Sequence, residues 1–141
     1  AQPDGTFLFD NIRRDTIVIK SQASTGDSWV FYDDTTTKYY MATVVSTDTM
    51  TVLDVPDSIK TIRITAYNSG VIDPMGILND SEIVLSKNHG FVQTFDLYTF
   101  PCHLSDTETD YFYQLSGAPI FHIIKFHNPS LKEVYDFAAG D

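Results

Sequence analysis

Cysteine is nearly absent: Cys102 stands alone, so no internal disulfide exists and an apolar core must hold the fold. Basic residues are scarce too, nine Lys and Arg against 19 Asp and Glu, for a formal charge of −10. Arg13–Arg14 is their only adjacent pair. This argues against nucleic acid as a partner, because phosphate binding needs a concentrated basic surface. No apolar run approaches the roughly 18 residues that cross a bilayer, so no membrane span is expected. No signal-peptide pattern is present, although the chain opens on Ala1-Gln2, as many processed proteins do. Catalytic signatures are missing as well. "LSGAP" (115–119) is not the Gly-x-Ser-x-Gly of a nucleophile elbow.

What is abundant points to β-structure. The 141 residues include ten Phe, eight Tyr and one Trp, and 43% are hydrophobic. A chain of this size buries roughly 70% of the surface it exposes when unfolded. Short β-branched and aromatic runs recur between turn residues: "TIVIK" (16–20), "WVFYDD" (29–34), "KYYMATVVS" (38–46) and "MTVLDV" (50–55). The "TDT" between the last two reads as a tight hairpin. "KTIRITAY" (60–67) alternates, with Ile62, Ile64 and Ala66 on one face and Thr61, Arg63 and Thr65 on the other, as in a sheet with one wet face. "NSGVIDPMGILND" (68–80) is a loop, broken by two Gly and a Pro. "SEIVLS" (81–86), "FVQTFDLYTF" (91–100) and "YFYQLS" (111–116) complete the set. Only "NPSLKEVYDF" (128–137) has helical spacing, in Leu131, Val134 and Tyr135, with Ser130 as N-cap.

The expected fold is all-β: an antiparallel meander of about eight strands, a half-barrel or a sandwich, with a short C-terminal helix. It forms a single domain over residues 1–141. Gly26-Asp27 and the final Gly140-Asp141 form an internal echo, as if a second similar unit followed and this were one module of a longer chain. Trp29 is expected to fill the core. In "TIVIK" only the ends are guarded, by Asp15 and Lys20, so this first strand is expected to offer an edge to neighbouring domains or subunits.

"SKNHG" (86–90) reads as a hairpin turn in which Asn88 and Gly90 tolerate positive φ and His89 projects into solvent, dispensable. "GDSWVFYDD", "ATVVSTDTMTVLDVPDSIKTIRITAY" and "SEIVLSKNHGFVQTFDLYTFP" together resemble the strand-rich N-terminal region of secreted Bacteroidetes proteins that carry a type IX secretion sorting domain. The shared features are a Gly-Asp-x-Trp element, a long meander, a Ser-Lys-x-x-Gly hairpin and an aromatic-Pro ending. The resemblance covers roughly residues 15 to 115 and lacks the sorting domain itself. It implies an extracellular or cell-surface location and carries over no functional residues.

Four constellations have the right atoms for chemistry. Cys102, His103, His122 and His127 supply zinc or copper donors at irregular spacing, and a buried Cys with a hydrogen-bonded His is the commoner outcome. Asp106, Glu108 and Asp110 begin like a calcium loop, but the sixth and twelfth positions are Tyr111 and Gly117 where an EF-hand needs Gly and a carboxylate. Asp33, Asp34 and Glu82 are candidate glycosidase carboxylates. Tyr39, Tyr40, Tyr67 and Tyr98 are candidate stacking residues for a glycan or lipid on a concave sheet face. None is assigned a catalytic, cofactor-binding or metal role. The reading is a non-enzymatic structural or interaction module, with ligand binding as its alternative.

Overall fold

The computed structural model describes residues 3–34, 37–101, 112–114, 117–118 and 123–124. Eleven strands lie among them: β1 (Thr6–Asp10), β2 (Thr16–Lys20), β3 (Ser28–Asp33), β4 (Lys38–Val52), β5 (Val55–Asn68), β6 (Val71–Ile72), β7 (Glu82–Ser86), β8 (Gly90–Phe95), β9 (Phe112–Gln114), β10 (Gly117–Ala118) and β11 (Ile123–Ile124). A seven-stranded antiparallel sheet runs β3-β4-β5-β7-β8-β9, with β6 also paired to β5. β1 pairs with β2, and β10 with β11, as two-stranded sheets. The all-β expectation holds. The helix expected over 128–137 lies outside the described residues, as does Gly140-Asp141.

Cross-strand register builds the core. Val44 faces Ile62, Ala42 faces Ile64 and Tyr40 faces Ala66, and all six side chains are buried. Ile83 of β7 and Trp29 and Phe31 of β3 continue this inner face, joined by Phe95 and Phe100. Phe100 meets Phe31, Tyr32 and Tyr40 edge-on, at centroid distances of 5.6, 5.4 and 4.9 Å. Rings in this arrangement add to burial that already contributes about 1.5–3 kcal/mol per large side chain.

Gly26-Asp27 has a local explanation. Gly26 lies at φ 95°, its N–H donates to the Val44 carbonyl, and Val44 N–H donates to the Asp27 carbonyl. Two residues thus oppose one, a bulge that needs glycine at its first position. It launches β3 and aims Trp29 inward.

Two sequence expectations are corrected. The long hairpin does not turn at "TDT": β4 runs straight through Thr47, Asp48 and Thr49, and Val52 pairs with Val55. The turn is Leu53-Asp54, at φ 50° and 67°, the left-handed pair that two-residue hairpins require. Leucine is a poor signal for such a turn, and tertiary packing explains its presence. Leu53 is 6% exposed and packs with Val52, Ile59, Val84 and Val92 on the opposite face of the sheet. Left-handed strain costs about 1–2 kcal/mol, whereas burying Leu contributes about 1.5–3. Leu53→Gly should therefore lower stability by about 1 kcal/mol net. A gain in the denaturation midpoint would show that strain outweighs burial.

The second correction concerns "TIVIK". It is not the first strand: β1, "TFLFD", pairs with one side of it along its whole length, from Thr6↔Lys20 to Asp10↔Thr16. On its other side no ladder joins β2 to β3, yet side chains bridge the gap. Trp29 Nε1 donates to the Val18 carbonyl at 2.8 Å, and the Tyr32 hydroxyl donates to Asp15 Oδ2 at 2.9 Å. Across the other flank Phe9 meets Phe91 edge-on at 6.0 Å, and Ile12 N–H donates to the Tyr98 carbonyl at 2.7 Å. The β1–β2 hairpin thus reaches both β3 and the β8 side of the large sheet. Its Ile17 and Ile19 are buried in the core, at 0% and 1% exposure.

Candidate functional site

The sheet has a second, smaller buried region on the face opposite the core. In β5, Ile62, Ile64 and Ala66 point inward, so the intervening positions point outward. Ile59 pairs with Ser86 and Thr61 with Val84, which puts Ser86 and Val84 on that outer face. Asp57 lies two residues before Ile59 and shares its side. Ser86 pairs with Gly90, which closes a three-residue loop of Lys87, Asn88 and His89. Gly90 takes the left-handed conformation at φ 76°, while Asn88 does not. Lys87 N–H donates to the Ser58 carbonyl at 2.9 Å, drawing this loop across Asp57.

Asp57 is the hub. Its Oδ2 accepts from the Ser86 hydroxyl, from Asn88 N–H at 3.1 Å and from His89 Nδ1 at 3.0 Å. Its Oδ1 accepts from Asn88 Nδ2 and from Ser58 N–H, both at 2.8 Å. The Ser86 hydroxyl in turn accepts His89 N–H at 3.0 Å. The carboxyl is held at about 2, below its ordinary 3.8: the Ser86 hydroxyl contributes most, then His89 and the N–H groups of Asn88 and Ser58, against the opposing effect of burial. The carboxylate is therefore charged near neutrality.

His89 is the main correction here. The sequence places it in solvent, yet its side chain is 4% exposed and that of Asp57 is 2%. Residue types Ser, His and Asp invite comparison with a hydrolase triad. The wiring differs. In a triad the carboxylate and the nucleophile bind opposite ring nitrogens. Here both meet the same one, since Ser86 Oγ lies 3.1 Å from His89 Nδ1, and the serine hydroxyl donates a hydrogen bond directly to Asp57. Ser86 is also only 6% exposed. These bonds tie the β7–β8 turn to the start of β5.

Among the described residues the remaining candidates are dispersed over the sheet. Glu82 is paired with Arg63 at 2.9 Å, directly across the β5–β7 ladder. Asp33 and Asp34 lie at the far end of β3, three strands away from Glu82 in sheet order. Three strand spacings amount to about 14 Å, beyond the roughly 5–9.5 Å that glycosidase carboxylates keep. Tyr40 is buried at 8% in the core and is not a stacking residue for a ligand. Burial, with Asp73 and Asp34 adding to it, raises its phenol pKa. Tyr39 and Tyr67 stack on each other at 5.0 Å, and Tyr98 is 60% exposed on the turn after β8.

Cys102, His103, His122 and His127 lie outside the described residues, as do Asp106, Glu108 and Asp110. Among the described residues no group of three or more His, Cys, Asp and Glu is placed to hold a metal ion. Among them, too, no helix is long and apolar enough to cross a membrane.

The sequence reading also missed Asn11. It is 3% exposed; its Oδ1 accepts Arg13 N–H and Asp15 N–H, both at 2.9 Å, and its Nδ2 reaches the Phe100 carbonyl at 2.8 Å. The available signal was Asn11 itself, a residue type that bonds backbone two residues on, lying between the apolar runs "TFLFD" and "TIVIK". Comparison with family models, with curated proteins and with solved structures finds no match for this chain.

Proposed function

We propose that this chain is a non-enzymatic structural or interaction module of an extracellular or cell-surface protein. The observation that carries this reading is a rigidly built loop with apolar side chains turned outward. Val71, Ile72 and Met75 are 69%, 54% and 90% exposed, and Ile77 is 36% exposed. The loop is pinned. Asp73 N–H donates to the Ala66 carbonyl, Ala66 N–H to Asn79 Oδ1, and Asp80 N–H to the Ile64 carbonyl. A Cβ on Gly76 would come within 2.3 Å of the Ala66 Cβ, so the loop lies flush on β5 there. Apolar side chains held this way mark a contact surface.

The wiring of Ser86, His89 and Asp57 supports a non-catalytic role. The resemblance of residues 15 to 115 to secreted Bacteroidetes proteins supports placement outside the cell and transport by type IX secretion. The occupants proposed are neighbouring domains or subunits. The inner rings pack on one another, which favours this reading over a glycan or lipid site on the concave face.

Met75 offers the test. Dilute hydrogen peroxide should oxidise it quickly in the purified chain, given its exposure. On intact cells that make the protein, oxidation should be at least several-fold slower, because a partner covers the loop. Equal rates in the two settings would contradict the proposal.

A further inference from the structure

Independently of that reading, we propose that Tyr39 and Tyr67 form an oxidative cross-linking site that joins β4 to β5 as dityrosine. The two residues face each other in the ladder. Their rings are parallel, at 5.0 Å between centroids and 5° between planes. Both are half-buried on the outer face, so a small oxidant reaches them while the strands hold them in place. Each phenol gives one electron and one proton to a one-electron oxidant, such as a peroxidase intermediate. The two phenoxyl radicals then join through ring carbons ortho to oxygen. Each of those carbons passes its hydrogen to its own ring oxygen, restoring the phenol. The net loss is two hydrogen atoms, which reduce one hydrogen peroxide to two waters.

Position singles out this pair. Tyr32 and Tyr40 also touch, at 6.1 Å and 62°, but they are 2% and 8% exposed and the Tyr32 hydroxyl is engaged by Asp15. Tyr98 and Tyr113 are open, at 60% and 54%, yet neither meets another tyrosine ring among the described residues. Holding two reacting groups together converts an encounter between radicals into an intramolecular step, with a large gain in effective concentration. The bond would fasten β5 near its end at Asn68, while the Asp57 cluster fastens its beginning. With a single cysteine, the chain has no disulfide to do this.

The test is to treat the dilute chain with peroxidase and hydrogen peroxide, then digest with trypsin. Tyr39 falls in the peptide 39–60 and Tyr67 in 64–87, so a link joins two separate peptides. The expected result is a monomer lighter by two hydrogens, with these peptides joined. Tyr39→Phe and Tyr67→Phe, which preserve the ring stack, should each lose the link. Full unfolding in urea should reduce it at least tenfold. Coupling only through Tyr98 or Tyr113, or an equal yield in urea, would overturn the proposal.

Discussion

Asp57→Ala should lower the stability of this domain by about 3 kcal/mol, because several buried donors lose one carboxylate acceptor, each at a cost of about 1–3 kcal/mol before relaxation. The substitution strands the Ser86 hydroxyl, the Asn88 amide and His89 Nδ1, which all converge on this carboxylate. Each loses a partner at a site where water is largely excluded. The pH dependence has a definite sign. The folded carboxyl is held at about 2 against an ordinary 3.8, so its contribution is complete above 3.8. It fades as pH falls through 3.8 toward 2, where the folded form also protonates. Asp57→Asn should remove this acid-dependent component. Equilibrium denaturation of wild type and variant between pH 2 and 6 measures it, and identical slopes would count against the carboxylate's role.

Trp29→Ala should cost a similar amount, about 3–5 kcal/mol, as for other large buried rings. Two losses combine here. The ring is 6% exposed in the main core, and truncation opens a cavity beside Phe31 and Ile19. The Val18 carbonyl also loses the indole N–H that bridges β3 to the β1–β2 hairpin. Trp29→Phe should separate the two, retaining most of the burial and costing about 1–2 kcal/mol. A midpoint for Trp29→Ala within error of wild type would remove Trp29 from its role as anchor.

Most of the sheet was legible in local pattern. The alternation of "KTIRITAY" gives the inward faces of Ile62, Ile64 and Ala66, and the lone Trp lies where a large ring is needed. The turn at Leu53-Asp54 was not legible, because Leu is an uncommon residue at positive φ and its compensation comes from Ile59, Val84 and Val92 in other strands. The strand "TFLFD" was missed for a related reason: it acquires its role by pairing with β2 and packing Phe9 on Phe91 of β8. The Asp57 cluster failed most instructively. Asn88 and His89 lie 31 and 32 residues from Asp57 in sequence. Local rules put a histidine on a turn tip in water. Only the β5–β7 register reveals the carboxylate waiting beneath it.

The central claim is that Asp57 and His89 form one fastening between β5 and the β7–β8 turn, and a double-mutant cycle tests it most directly. Unfolding free energies of wild type, Asp57→Ala, His89→Ala and the double variant would be measured near neutral pH. Groups in one buried network couple by about 0.5–3 kcal/mol. The expected result is a coupling of at least about 1 kcal/mol, with His89→Ala destabilising the wild type clearly more than it destabilises Asp57→Ala. Strict additivity, with His89→Ala indistinguishable from wild type, would contradict the fastening and return His89 to the solvent-exposed role its turn suggests.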